Sequence, residues 1–440
     1  MDGTGRTSRE RRRRMLGLAV PATLTLLAEP LLGVVDTAIA GRIGTVELGA
    51  LGFAVSILGV VTWVFNFLVF GTTTTVARSL GAGERYEAGR GLAHAGIVAI
   101  GLGLTAGVIL GVGAPLLVGG IGAVDALVEP TVTYLRVRAI GIPFMLLGFV
   151  GHGAFRGAGD LRRPLLVVII ANLVNLGLNI FLVFGLGWGL AGVAASTVAA
   201  EIIIAVWLGL MIPGRLNLVL GGHGLPDRSQ VQALFVVSRD LFLRTAGLVG
   251  GIAAITAAAA RTDPITAAGH QVIWQVYLLV SFLLDGLAVS AQTMIGNAIG
   301  SRDLTEVRDT ARDGLRWSVW AGVIIGAVLL LGRVPIVSVF TPDPDVVAVT
   351  ALAWWLPSIA MVLHTLVFVL DGILMGASDY AFIRRWTLLG GVVGGVMAQV
   401  GVGLGGGLLW LWVSYEVVML LRGIPLLIRV RGDRWLPLHG

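Results

Sequence analysis

The chain has 440 residues, 56% of them hydrophobic and only 13% charged, with a net charge of +6 and a mean hydropathy of +0.91. No soluble globular protein of this length is so apolar, and the composition predicts an all-α polytopic membrane protein. The lack of cysteine excludes disulfides, thiolate metal sites and thiol catalysis, and the six histidines form no ligand-spaced cluster, so no metal site is expected.

Arg9–Arg14 precedes the first apolar segment, Met15–Ala40. A basic run before an apolar stretch can mark a cleaved signal, but this stretch is longer than the ~20 residues a spanning helix needs, so it reads as a retained first span. It carries two carboxylates, Glu29 and Asp36. Each costs roughly 2.5–3.5 kcal/mol at the centre of a spanning helix, which argues for a role in handling protons or ions. The two acids are two turns apart on one face, about 10 Å along the axis. Interhelical hydrogen bonding is the plainer alternative. Pro21 and Pro30 lie in the same span, and each removes a backbone hydrogen bond, leaving sites where bending is easy.

Hydropathy predicts twelve spans, at about 15–40, 46–77, 88–119, 131–155, 163–185, 189–212, 231–260, 266–298, 304–331, 346–375, 380–402 and 406–428. Asn66 sits in the second. His152 lies near the cytoplasmic end of the fourth, and Asn172, Asn175 and Asn179 line one face of the fifth. The plain reading of that asparagine stripe is glue between helices, at about 1 kcal/mol or less per bond. The eighth span holds Asp285 with Trp274 and Tyr277, and the tenth holds Asp371. The aromatics offer either cation–π surfaces or packing. Glu201 and Glu416 also fall inside spans, with no assigned role.

Arginines concentrate in alternate loops: Arg78 to Arg90, Arg156 to Arg163, Arg215 to Arg239, Arg302 to Arg312, Arg384–Arg385 and Arg429 to Arg434. This is the positive-inside pattern rather than a nucleic-acid surface, and it predicts both termini in the cytoplasm.

An internal repeat follows. Arg42–Gly81 and Arg261–Gly300 are equal blocks offset by 219 residues, and Arg156-Gly-Ala-Gly-Asp160 pairs with Met375-Gly-Ala-Ser-Asp379 at the same offset. Asn66 and Asp285 are thereby repeat mates, as are His152 and Asp371. Two six-helix halves entering the membrane in the same sense are the parallel-repeat plan of transporters, with a path near the interface of the halves. The organisation predicted is a basic tail (1–14), an N-terminal lobe (15–212), a Gly/Pro-rich cytoplasmic linker (213–230), a C-terminal lobe (231–428) and a second tail (429–440). The Gly-Ala-Gly-Glu and Gly-Ala-Gly-Asp motifs suit tight turns with a capping acid, since no Gly-x-x-x-x-Gly-Lys accompanies them.

Ala28-Glu29-Pro30 through Asp36-Thr37 to Gly41-Arg42, with Gly81-Ala-Gly, Arg156-Gly-Ala-Gly-Asp160, Ala268-Gly-His270-Gln271 and Asp371-Gly-Ile-Leu-Met-Gly376-Ala, resemble the multidrug and toxic compound extrusion (MATE) family, its DinF-like branch above all. The resemblance covers nearly the whole chain. It implies a V-shaped pair of six-helix bundles in the cytoplasmic membrane, monomeric, exporting amphipathic and often cationic compounds against proton or sodium entry. Asp36 matches the first-helix aspartate whose protonation reshapes that helix in the family, and Glu29 would be a second relay group or a substrate contact. Asn175 and Asn179 match a pair whose second member is an aspartate in some proton-driven relatives.

Sodium-coupled relatives use a glutamate in the seventh helix, where this chain has none. Protons are therefore the expected coupling ion, with sodium the alternative and no other cofactor. A second polar site built on Asp285 and Asp371 is the expectation for the C-terminal lobe. A lipid-linked precursor flippase is disfavoured because Arg136, Arg138, Arg244 and Arg316 all read as lying near span ends. An intramembrane enzyme would need a cluster such as His-Glu-x-x-His, and none is present.

Overall fold

Backbone polar groups in hydrocarbon must be satisfied within the segment, so apolar runs of this length have to be helices. The computed structural model describes residues 7–121, 125–220, 228–341 and 343–436, and these are helical with no strand among them. The helices are α1 (Ser8–Ile43), α2 (Thr45–Phe65), α3 (Phe67–Gly81), α4 (Arg85–Ile121), α5 (Asp125–Gly157), α6 (Arg162–Ile180), α7 (Gly189–Met211), α8 (Arg228–Ala259), α9 (Pro264–Gly300), α10 (Leu304–Leu331), α11 (Arg333–Phe340), α12 (Pro344–Ala353), α13 (Trp355–Gly376), α14 (Tyr380–Gly403) and α15 (Leu408–Arg431). Eleven described helical stretches are long and apolar enough to cross a membrane, and the protein is a multi-pass membrane protein.

The spans are less uniform than hydropathy suggests. The second is interrupted at Asn66, which ends α2 and begins α3 without a capping bond from its side chain. The fifth closes in a π-helical turn, Phe181–Gly185, and the sixth in another, Ile212–Leu216. The tenth is two helices, α12 and α13, meeting at Trp354. By contrast α1 is an unbroken helix through both Pro21 and Pro30. Residues 221–227 of the expected linker lie outside the described residues.

Helix ends preserve the repeat. Gly81 and Gly300, Arg85 and Leu304, Gly157 and Gly376, and Gly189 and Leu408 are each 219 apart. The turns at Gly83, Gly159, Arg302 and Ser378 share one hydrogen-bond pattern, with the left-handed residue at φ 78, 76, 57 and 60. They are helix C-caps, which explains the glycines of the first half. Arg302 and Ser378 adopt the same conformation against a cost of about 1–2 kcal/mol each. Asp303 then caps α10, its Oδ1 accepting from the Glu306 amide at 2.9 Å.

The chain divides into two compact units, residues Met1–Thr23 with Arg239–Gly440, and Leu24–Ser238. In the second of these, α5 is the central helix, packed against α2, α3, α4 and α7, with α6 on α7. Leu135, Ile142, Leu146 and Phe155 of α5 are all buried in its core. In the other unit α13 takes the same place, against α9, α10 and α15, with α14 on α15. Contact between α8 and α14 depends on small residues: a Cβ on Gly391 would run into the carbonyl of Gly247.

These boundaries depart from lobes cut at 15–212 and 231–428. The beginning of α1, through Thr23, packs with the C-terminal unit. Charge explains it: Arg11, 8% exposed, reaches Asp313 at 2.7 Å, Glu306 at 3.2 Å and Asp309 at 3.4 Å, all on α10. These acids recur at i, i+3 and i+7, so one helix face presents them together.

Candidate ion-coupling site

Within the unit Leu24–Ser238, the second half of α1 brings Asp36 against α6 and α7. Asp36 is 6% exposed although it lies in an apolar span. One carboxylate oxygen, Oδ1, accepts from Asn179 Nδ2 at 2.8 Å, and Oδ2 accepts from the Thr197 hydroxyl at 3.1 Å. Asn179 and Asn175 are one helical turn apart on α6, fully buried, and joined by Asn179 Nδ2 to Asn175 Oδ1 at 3.0 Å. Asn175 Nδ2 donates onward to Ser196 Oγ at 3.3 Å and Thr197 Oγ1 at 3.4 Å, while Ser196 Oγ donates to Asn179 Oδ1 at 2.8 Å. The network closes on itself.

Both hydrogens of the Asn179 amide are therefore committed, one to Asp36 and one to Asn175. Thr197 is different. Its single hydroxyl proton has two acceptors within reach, Asp36 Oδ2 and the Val193 carbonyl at 3.0 Å. The first is available to it while Asp36 is an anion, and the second always.

A charged pair lies beside the network. Arg138 on α5 meets Glu201 on α7 at 2.7 Å, with both side chains largely buried. Arg138 acts on Asp36 and Tyr134 through space rather than by a direct bond. Arg138 Nη1 and Glu201 Oε2 have no hydrogen-bond partner.

Asn172 donates to the Ala28 carbonyl of α1 at 3.2 Å, one turn from the network. The side chains of Glu29 and Pro30 lie outside the described residues. Pro21 is buried in α1. Asn66 marks the α2–α3 break, and His152 lies on α5 one turn before Arg156; neither is bonded to Asp36 among the described contacts. In the C-terminal unit, Asp371 does not pair with Asp285. It accepts from Arg244 Nη2 at 2.5 Å and Arg422 Nη2 at 2.6 Å. Two cations attract a carboxylate that a second acid would repel.

Arg138 is 9% exposed and Arg422, not singled out in the sequence, is 1% exposed. Each is bonded to an acid. Trp274 and Tyr277 pack with Trp412 and Tyr415, at ring separations of 5.2–6.2 Å, inside a buried aromatic cluster.

A family model described as MatE matches residues 21–181 and again residues 245–399. Protein DETOXIFICATION 44, chloroplastic, of Arabidopsis thaliana is 29% identical, over 93% of this chain and 80% of its own length. DNA damage-inducible protein F of Escherichia coli K12 is 26% identical over 93% of this chain and 90% of its own. Multidrug resistance protein PmpM of Pseudomonas aeruginosa is 24% identical over 77% and 73%. A crystal structure of a MATE protein in the bent conformation matches the fold with a TM-score of 0.88, at 18% identity and 96% coverage of both chains.

Proposed function

The chain belongs to the MatE family, whose members are transporters rather than enzymes, and from that premise we propose that it is a multidrug efflux antiporter. It exports amphipathic, cationic organic compounds in exchange for protons, by alternating access. It acts as a monomer in the cytoplasmic membrane with both termini on the cytoplasmic face.

The observation that carries the proton assignment is the bonding of Asp36. Both of its oxygens accept from neutral donors, and one of those donors, Thr197, has a second acceptor in Val193. A proton arriving at Oδ2 turns that oxygen from acceptor to donor. The Thr197 hydroxyl then turns to the Val193 carbonyl, and the new Asp36 O–H donates to Thr197 Oγ1. Asn179 keeps both its bonds. The bond between α1 and α7 reverses direction, and the charge holding α1 to this face disappears. Loading thus loosens α1 without leaving a buried polar group unpaired.

Both ion-dependent alternatives are separated by one measurement. Ethidium transport by the purified protein in proteoliposomes should be driven by a pH gradient in sodium-free buffer. Drive by a sodium gradient alone would transfer the coupling role to sodium.

A further inference from the structure

We propose that Glu201 is a positioning residue for the Asp36 site: by holding the Arg138 guanidinium it keeps that cation off Asp36, and so leaves Asp36 able to take a proton. The pair lies inside the unit Leu24–Ser238. Glu201 follows Thr197 by one turn on α7, so the pair stands one turn from the hydroxyl that donates to Asp36. Arg138 Nη2 donates to Glu201 Oε1 at 2.7 Å. The contact is made at one point only, since Arg138 Nη1 and Glu201 Oε2 are buried without a hydrogen-bond partner. An arginine and a carboxylate joined for rigidity commonly meet through two parallel bonds. Here one N–H edge is left over, on a guanidinium that already acts on Asp36 through space.

Asp36 has the opposite surroundings. Among the described residues its two oxygens accept from Asn179 and Thr197, both neutral. A carboxylate bonded to a guanidinium is held as an anion, whereas one bonded by neutral donors takes a proton without stranding a buried cation. Asp36 and Glu201 thus compete for one cation, and Glu201 has it. Gly141, one turn beyond Arg138 on α5, makes this possible. A Cβ there would run into Glu201 Oε2 and would stand 3.4 Å from Arg138 Nη1. The repeat supplies an independent reason to assign the pair a role. Residues 219 apart are equivalent, and the mates of Arg138 and Glu201 are Pro357 and Leu420. The C-terminal unit therefore builds the equivalent helices without a charged pair at this level. A buried ion pair stabilises little against apolar residues of similar size, so the fold alone does not call for one beside Asp36.

The titratable groups that act on one another here are Asp36, Tyr134, Arg138 and Glu201. On the helices packed around them, other charges stand toward the ends: Glu47 in the first turn of α2, Arg78 in the last turn of α3, Arg85 to His94 at the start of α4, and Arg162–Arg163 at the start of α6. Arg215 lies past the end of α7. On α5 itself Arg136 is exposed, and His152 and Arg156 are about four turns or more beyond Arg138. Arg138 is thus the cation placed to reach Asp36 when Glu201 lets it go.

This rests on the proton role proposed above for Asp36, and its test reads protonation apart from transport. In the full-length protein in detergent, the infrared carbonyl band of protonated Asp36 is identified by its loss in Asp36→Asn and followed against pH. In Glu201→Gln the guanidinium turns to Asp36 and favours its anion, so the titration should move to lower pH by about 1–3 pH units. In Arg138→Gln with Glu201→Gln no cation remains, and the titration should return close to that of wild type. Gly141→Ala keeps every charge but displaces Glu201, and should shift the titration in the same direction as Glu201→Gln. The pH at which ethidium transport is half-maximal in proteoliposomes should move with the band in the single variant and return in the double. A titration unchanged in Glu201→Gln, or in Gly141→Ala should the former not fold, overturns the inference. So does a double variant shifted as far as Glu201→Gln. Wild-type transport indifferent to the pH gradient would instead overturn the coupling ion, while the titration still reads the competition for Arg138.

Discussion

Asn179 Nδ2 stands 2.8 Å from Asp36 Oδ1, across 143 residues of chain, and its other hydrogen is held by Asn175. The amide cannot rotate without breaking bonds to Asp36, Asn175 and Ser196 at once. It acts as the fixed side of the site, against which the mobile side can switch.

Replacing Asn179 by Ala leaves Asp36 and Asn175 each short of one partner in a buried setting, while Ser196 can still donate to the Val193 carbonyl. A loss of about 1–3 kcal/mol is expected, read as a lower Tm in detergent together with weakened pH-driven ethidium transport. An unchanged Tm would show that the amide is not holding the network.

Thr197 is the mobile side. Thr197→Ser keeps the hydroxyl and should keep coupled transport, whereas Thr197→Val keeps the shape and removes the switchable proton. Transport by the Val variant should fall at least tenfold, with a loss of Tm no greater than that of Asn179→Ala, since both leave one oxygen of buried Asp36 without its donor. Equal transport by the two would remove Thr197 from the account.

Arg138 and Glu201 are buried together, so removing one partner strands the other charge. Arg138→Gln should cost about 3–5 kcal/mol, and Arg138→Gln with Glu201→Gln should recover most of it. Thermal melts of the two single variants and the double variant give the coupling directly.

The sequence made part of this site legible. A carboxylate in an apolar span is conspicuous by its cost, and asparagines spaced i and i+4 announce a shared face, so Asp36, Asn175 and Asn179 could be singled out from the chain. Ser196 and Thr197 could not, because hydroxyls inside helices usually bond their own i−4 carbonyl, and nothing local says that these also reach another helix. Arg138 and Glu201 are 63 residues apart, and their pairing exists only once α5 lies on α7. Repeat length was readable from turn motifs alone, yet the membership of α1 in two units was not, since it depends on Arg11 meeting three acids some 300 positions later.

That contact is open to test. Arg11→Ala removes the cation from Glu306, Asp309 and Asp313, and amide exchange in residues 8–23 should speed up with exchange elsewhere unchanged. Unaltered exchange there would mean that apolar packing, not charge, holds the start of α1.

Most direct for the central claim is the proton-driven ethidium flux of Asp36→Asn in sodium-free proteoliposomes, beside wild type reconstituted to the same density. Asparagine fills the same space and bonds Thr197, but it cannot exchange a proton. The account predicts a monodisperse variant whose flux is indifferent to the imposed pH gradient. Flux that still rises with the gradient as it does in wild type would contradict it.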